Sequence, residues 1–214
     1  MHQFTFCDQT LQLHPFRAIY WEEQNSLLLA DLHLGKAAHF RKAGLAVPAQ
    51  AGDTNWDRLI SLLFDLKPAR VLFLGDLFHS DYNPAWEDLT QLIQQFQPIS
   101  FELIPGNHDI LAEPMYQEAG LILHPVTVTL GPFYLTHHPQ AETPVGLYNL
   151  AGHIHPSVRL QGAARQSLRL PCFYFGARGG LLPAFGAFTG TADIPVQLGD
   201  RVFVIAEGQV LEVG

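Results

Sequence analysis

Cysteine is scarce in this chain. Cys7 and Cys172 are the whole complement, far apart and outside any CxxC pair. Such a pair sets up neither a disulfide framework nor a thiolate metal site, so two reduced, half-buried thiols are expected. Long apolar runs are missing too. No stretch approaches the roughly 18 residues a membrane span requires. The start, Met1-His2-Gln3-Phe4-Thr5-Phe6-Cys7, has neither the basic nor the apolar region of a secretion signal. A soluble, cytoplasmic protein with no membrane role is expected. Lysine is the third scarcity: three residues, against eleven histidines. The net charge of −8 runs against the basic balance usual for nucleic-acid-binding domains. Bound divalent cations would offset part of it locally. The basic residues that are present are clumped, with Lys36, Arg41 and Lys42 in one group and Arg159, Arg165, Arg169 and Arg178 in another. Each group reads as a phosphate-contacting patch or as a solvated loop.

What is abundant is apolar sequence that stops abruptly at polar residues. At 214 residues and 48% hydrophobic, the chain can bury a core as a single domain spanning 1–214. Val71-Leu72-Phe73-Leu74 reads as a buried strand delivering Gly75-Asp76. Leu27 to Ala30 delivers Asp31-Leu32-His33, Phe101 to Ile104 delivers Pro105-Gly106-Asn107-His108-Asp109, and Tyr148 to Ala151 delivers Gly152-His153-Ile154-His155. Ligands of open α/β sheets gather at the carboxyl ends of strands, so the four tips are expected to converge. Oxygen and imidazole groups in this number point to a pair of metal ions that share Asp76. If Asp31-Leu32-His33 and His153-Ile154-His155 are extended, each ligand pair faces one side and the middle residue the other.

Hairpins are expected around Asp8-Gln9-Thr10 and around Glu22 to Asn25. A short helix is expected over Lys36 to Lys42. A longer one is capped by Thr54 with Asp57 and turns Trp56, Leu59, Ile60, Leu63 and Phe64 inward. Another runs from about Ala85 to Phe96, with Trp86, Leu89, Ile93 and Phe96 inward. Strand and helix alternate here, the pattern of parallel βαβ units. The second half is β-rich: Val126–Leu130, Phe133–Thr136, Tyr148–Ala151, Val158–Leu160, Ser167–Leu170, Cys172–Phe175, Val202–Ala206 and Val210–Val213. The stretch 176–190 reads as a packed, ordered loop. Two mixed sheets with helices outside fit this pattern.

The motifs DxH, GD, GNHD, H and GHxH, in this order from Asp31 to His155, resemble those of the calcineurin-like metallophosphoesterase superfamily. Three phrases bring the resemblance closer: Asp31-Leu32-His33-Leu34-Gly35-Lys36, Gly75-Asp76-Leu77-Phe78-His79-Ser80, and the late run from Leu182 to Gly190. These are similar to the ligase-associated DNA damage response endonucleases, small bacterial manganese-dependent DNA nucleases. The resemblance implies a four-layer α/β/β/α metallophosphoesterase sandwich of two mixed sheets. It implies a DNA repair nuclease acting on single-stranded or damaged DNA, linked to a helicase, an exonuclease and a DNA ligase. Carried over, Asp31, His33 and His155 would hold one ion, Asn107, His137 and His153 the other, and Asp76 would bridge. His137 is chosen because it directly follows a strand; His138 is the alternative, and otherwise faces substrate. His108 would protonate the leaving alkoxide or stabilise the charged phosphate, with Asp109 orienting it or capping a helix from Ile110. His79 reads as substrate-facing or as an ordinary loop histidine; Lys36, Arg41 and Lys42 would meet DNA phosphates. The cations would activate a water as hydroxide for in-line attack at phosphorus. Mixed histidine and carboxylate ligands disfavour magnesium and calcium, and the resemblance selects manganese. The other reading with the same chemistry is a phosphatase or phosphodiesterase for small nucleotides or phosphoproteins. A non-catalytic scaffold is the third, and no ligand is missing that would favour it.

Overall fold

The structure, a computed structural model, describes residues 1–36, 50–79, 84–161, 167–187 and 189–213. The expected helix over Lys36 to Lys42 lies almost wholly outside them, as do Arg41, Lys42 and Arg165. The chain opens on the expected hairpin, β1 (His2–Phe6) and β2 (Gln9–His14). Its turn is Cys7-Asp8, both residues in the left-handed region, which matches the twist of paired strands. β3 (Ala18–Trp21) and β4 (Ser26–Leu29) form the second hairpin. β5 (Arg70–Leu74), β6 (Ser100–Ile104) and the short β7 (Ile122–Leu123) then join β4 in parallel. Parallel neighbours need crossovers, and α1 (Gln50–Leu66), α2 (Ala85–Gln95) and α3 (Glu113–Glu118) lie along them. The seven strands follow one another in sequence order.

Both faces of this sheet are dry, which is why its central strands are continuously apolar. Leu27, Leu29, Val71, Phe73, Phe101 and Leu103 pack with the helices. Leu28, Leu72, Leu74 and Ile104 pack against the second sheet. That sheet has nine strands: β8 (Thr127–Leu130), β9 (Phe133–Thr136), β10 (Tyr148–Ala151), β11 (Pro156–Gln161), β12 (Ser167–Gly176), β13 (Gly179–Leu181), β14 (Ala192–Asp193), β15 (Arg201–Ala206) and β16 (Gln209–Val213). Phe133, Phe173, Phe175 and Phe203 fill the space between the sheets, with Trp21 edge-on to Phe133. The outer face of the second sheet carries Val158, Cys172, Val202 and Val204, and no described helix packs on this cluster. Both sheets are mixed, as expected.

Some local expectations are corrected. α1 begins at Gln50, so Thr54 lies inside it and not at its start. Phe64 is 63% exposed and Leu62 takes its place in the core; Phe64 instead meets Phe96 edge-on at 5.1 Å. Ser167 to Phe175 is one strand, not two. Pro171, which has no N–H to donate, falls where β12 leaves β11 as its partner and takes up β15. The loop expected over 176–190 contains β13, and its Leu182 and Phe185 are fully buried. Cys7 is exposed and Cys172 buried, and both are free thiols. No described helix is long and apolar enough to cross a membrane.

Candidate metal centre

β4 and β5 stop, but their backbones stay zipped beyond the sheet. Asp31 N–H donates to the Gly75 carbonyl, His33 N–H to that of Asp76, and Leu34 N–H to that of Leu77, at 3.1, 2.9 and 2.8 Å. The DxH and GD tips are thereby fixed side by side. The expected extended geometry is not found. Asp31, His33, Asp76, His153 and His155 all have positive φ, between 48° and 66°. Left-handed backbone at non-glycine residues costs energy and persists only where the surroundings hold it. The paired ligands converge because the backbone kinks at each of them, and Leu32 between the first pair still turns into the helix-side core.

Glycines make room for this. A Cβ on Gly75 would lie 2.2 Å from His137 Nδ1. One on Gly106 would lie 2.3 Å from Asp76 Oδ1, and one on Gly152 2.7 Å from Asp31 Oδ2. The glycine in each of these motifs is thus the space its neighbour's ligand occupies. The late phrase straps the floor: Phe185 and Gly186 donate to the carbonyls of Ala30 and Asp31, and Arg17 binds the carbonyls of Ala184 and Gly186.

Within this frame the two oxygens of Asp76 face different histidines. Oδ2 lies 3.8 Å from His33 Nε2 and Oδ1 lies 3.5 Å from His137 Nε2. On the second side, His137 Nδ1 is 2.9 Å from the Leu74 carbonyl, which can only accept. The ring proton therefore belongs on Nδ1, and the Nε2 lone pair points inward. It meets Asn107 Oδ1 at 3.2 Å and His153 Nδ1 at 3.2 Å. On the first side, Asp31, His33 and His155 bring one ligand atom each within 4.8 Å of one another. His155 Nδ1 is 3.0 Å from the Gly190 carbonyl, and its Nε2 faces Asp31 Oδ1 at 3.3 Å. Asp31 Oδ2 meanwhile accepts the His153 N–H.

Burial holds His33 neutral, lowering its pKa to about 2 with help from Lys36 and the neighbouring histidines. Burial and His138 lower that of His153 as well. His155 goes the other way: burial would lower its pKa, but the nearby Asp31 carboxylate raises it. Asp31 Oδ1 and both ring nitrogens of His33 are buried with no hydrogen-bond partner among the described residues. Buried polar atoms are seldom left so, and a carboxylate oxygen with an imidazole lone pair close by suits a cation. The donor set, imidazole nitrogen with carboxylate and amide oxygen, fits a divalent transition metal.

The expected ligands Asp31, His33, Asp76, Asn107, His137, His153 and His155 are therefore brought together. His138 is exposed, its ring 4.0 Å from that of His153, yet it too offers a ligand atom within 4.8 Å of those of His137 and His153 and so stays an alternative ligand. His79 and His108 stack at 5.3 Å beside His33, so His79 belongs to the site and not to an ordinary loop. Lys36 is near enough for Asp76 and Asp31 to oppose the lowering of its pKa by burial. Asp109 differs from expectation. Its carboxylate accepts the N–H groups of Leu77, Phe78 and Gly106, so it ties the GD loop to the GNHD loop and does not bind the His108 ring. It caps no helix, since α3 starts at Glu113. His108 is positioned through its own N–H, which donates to Asp76 Oδ1 at 3.0 Å.

A sandwich of two mixed sheets with this centre at its strand ends defines a class, and the chain belongs to it: residues 25–166 match the calcineurin-like phosphoesterase family. The protein is a metal-dependent phosphoesterase of that family. Among solved structures it is similar to the Pseudomonas putida nuclease MPE, with a TM-score of 0.83 and 30% identity, covering 99% of each chain. That likeness is consistent with the endonuclease family. A phosphoesterase from E. coli, Yfce, is similar at 12% identity and a TM-score of 0.43, over 88% of this chain and 97% of that one. No curated protein matches.

Proposed function

We propose that this protein is a nuclease that hydrolyses phosphodiester bonds of DNA, in a repair setting and in the cytoplasm, with a pair of divalent cations, manganese by preference. The observation that carries the two-ion reading is the split of Asp76, with one oxygen toward His33 and the other toward His137. Asp31, His33 and His155 would hold one cation, Asn107, His137 and His153 the other. When bound, such a pair supplies Lewis-acid charge at a phosphate and lowers the pKa of water. This chain's residues do the rest. Asp109 locks the two loops that carry Asp76 and Asn107. His108, half-buried beside the centre, is placed to give a proton to the leaving oxygen. His79 and Lys36 flank it where an anionic phosphate would sit. Supporting the DNA substrate is the full-length likeness to a nuclease. The resemblance to ligase-associated endonucleases supports a shared repair process with a helicase, an exonuclease and a DNA ligase.

The test is a parallel assay of manganese-loaded protein on single-stranded DNA, duplex DNA and small phosphate esters. Faster turnover of DNA than of mononucleotides or phosphopeptides is expected. The reverse order would favour a phosphatase for small nucleotides or phosphoproteins.

A further inference from the structure

A hollow of about 780 Å³ opens on the outer face of the second sheet. One wall of it is Ile154, whose neighbours on both sides in the chain are the site histidines His153 and His155, and another is Pro139, directly after His138. Strand alternation along β12 sends Phe173 and Phe175 between the sheets and leaves Tyr174 on this outer side. The Tyr174 hydroxyl donates to Asp200 Oδ2 at 2.8 Å, and the same oxygen accepts the Gln197 N–H at 2.8 Å. The ring is thus held at its tip. Gly176 leaves it room, since a Cβ there would lie 2.2 Å from the hydroxyl. Leu181 adds apolar surface, Gly179 and Gly180 add bare backbone, and Arg178 is exposed at the mouth.

We propose that this hollow takes the nucleoside on one side of the scissile phosphate, its base against Tyr174 and its backbone near Arg178. The proposal rests on the DNA reading above and names how that substrate is gripped. The volume lies within the usual range for sites of small organic ligands. A fixed aromatic ring offers a stacking platform that any base can use. Asp200 has a second carboxylate oxygen for an exocyclic amine, and the guanidinium of Arg178 suits a phosphate or a stacked base. The place of Ile154 in the chain, between His153 and His155, is what selects a nucleoside: a phosphate held at the ions has its neighbouring sugar and base beside this wall.

The experiment uses the manganese-loaded full chain and a short single-stranded DNA in which every linkage but one is blocked as methylphosphonate. The base on either side of the cleavable linkage is removed in turn. With the unchanged protein, removal on one side is expected to lower kcat/KM about tenfold, the scale of one lost base stack. Tyr174→Leu should lose about tenfold on intact DNA and then become indifferent to that base, while Tyr174→Phe, which keeps the ring but loses the hydroxyl bond that fixes it, should lose less and stay sensitive to that base. If Tyr174→Leu unfolds early on heating, Arg178→Ala, at the exposed mouth, replaces it: KM for the intact DNA should rise severalfold, and an unchanged KM would overturn the hollow. An equal cost of base removal in the unchanged protein and in the variant would overturn the hollow and leave the nuclease reading standing. Failure of the unchanged protein to cleave any DNA, while it hydrolyses methyl 4-nitrophenyl phosphate, would overturn the DNA reading itself.

Discussion

β5 and β6 carry a buried polar cluster at each end, and the two clusters are opposite in kind. At the amino end, Glu102 is 5% exposed and fully engaged. Arg70 Nε lies 2.7 Å from Oε1, the Ser100 hydroxyl donates to the same oxygen, and His124 Nε2 is 2.6 Å from Oε2. At the carboxyl end, some 5 Å-wide groups of acids and histidines face one another, and Asp31 Oδ1 and both nitrogens of His33 have no hydrogen-bond partner among the described residues. Buried charge with complementary partners holds structure; buried carboxylate and imidazole groups left unpartnered keep a place for a cation. The same pair of strands thus separates folding from function along its length.

The largest expected effect comes from Asp76→Asn. Activity should fall roughly 10³-fold or more, because several kcal/mol of transition-state charge stabilisation depend on the cations it shares. Metal-free protein should not lose stability, since Asp31 and Asp76 are like charges in one cluster and the change neutralises one of them. Manganese at about 100 times its dissociation constant should stabilise the unchanged protein by about 2.7 kcal/mol, and this variant far less. Calorimetry with and without metal checks this; a variant that unfolds earlier in metal-free buffer would make the two ends alike and break the contrast. Next in size is His108→Ala. It should retain metal and lose about 10²-fold in rate, most with poor leaving groups. Loss of metal, measured by elemental analysis, would place His108 among the ligands.

Gly75→Ala sharpens the contrast without touching a donor atom. Its φ of +79° and the 2.2 Å approach to His137 leave no place for a methyl group. The His137 ring should turn away from the Leu74 carbonyl, lowering metal affinity about 10- to 100-fold, the scale seen when an orienting partner is lost. Titration with manganese reads it out. This glycine also marks what was legible beforehand. That Asp31, His33, Asp76, Asn107, His137, His153 and His155 converge was readable because donor type, chain order and position after apolar runs are all written in side chains. The carbonyls of Leu74 and Gly190, which orient two of those histidines, have no signature in sequence. Left-handed backbone at Asp31 and His155 was hidden for a related reason: tertiary contacts impose it against the preference of those residues. The role of Asp109 was misread because a carboxylate beside a histidine suggests a pair, whereas its partners are backbone N–H groups, two of them from Leu77 and Phe78. In the fold, periodicity found α2 nearly to the residue but misplaced the start of α1, which begins four residues before Thr54. It missed β7 and β14, of two residues each, since so short a run shows no period.

The smallest effect on chemistry should come from Glu102→Gln, and it tests the other half of the contrast. The amide keeps the shape of the side chain but gives up the charge facing Arg70 and His124, and one end of it becomes a donor where Glu102 only accepted. Arg70 is 35% exposed and His124 25% at their side chains, so water takes up part of what they lose. A loss of about 1–3 kcal/mol on chemical unfolding is expected, the cost of a buried polar group left poorly matched. Because the cluster lies at the far end of β6 from Asn107, metal affinity and kcat should stay within about twofold of the unchanged protein, as for sites that share no partner. If manganese binding weakened along with stability, the two ends of these strands would be coupled through the sheet, and the division of labour between them would fail.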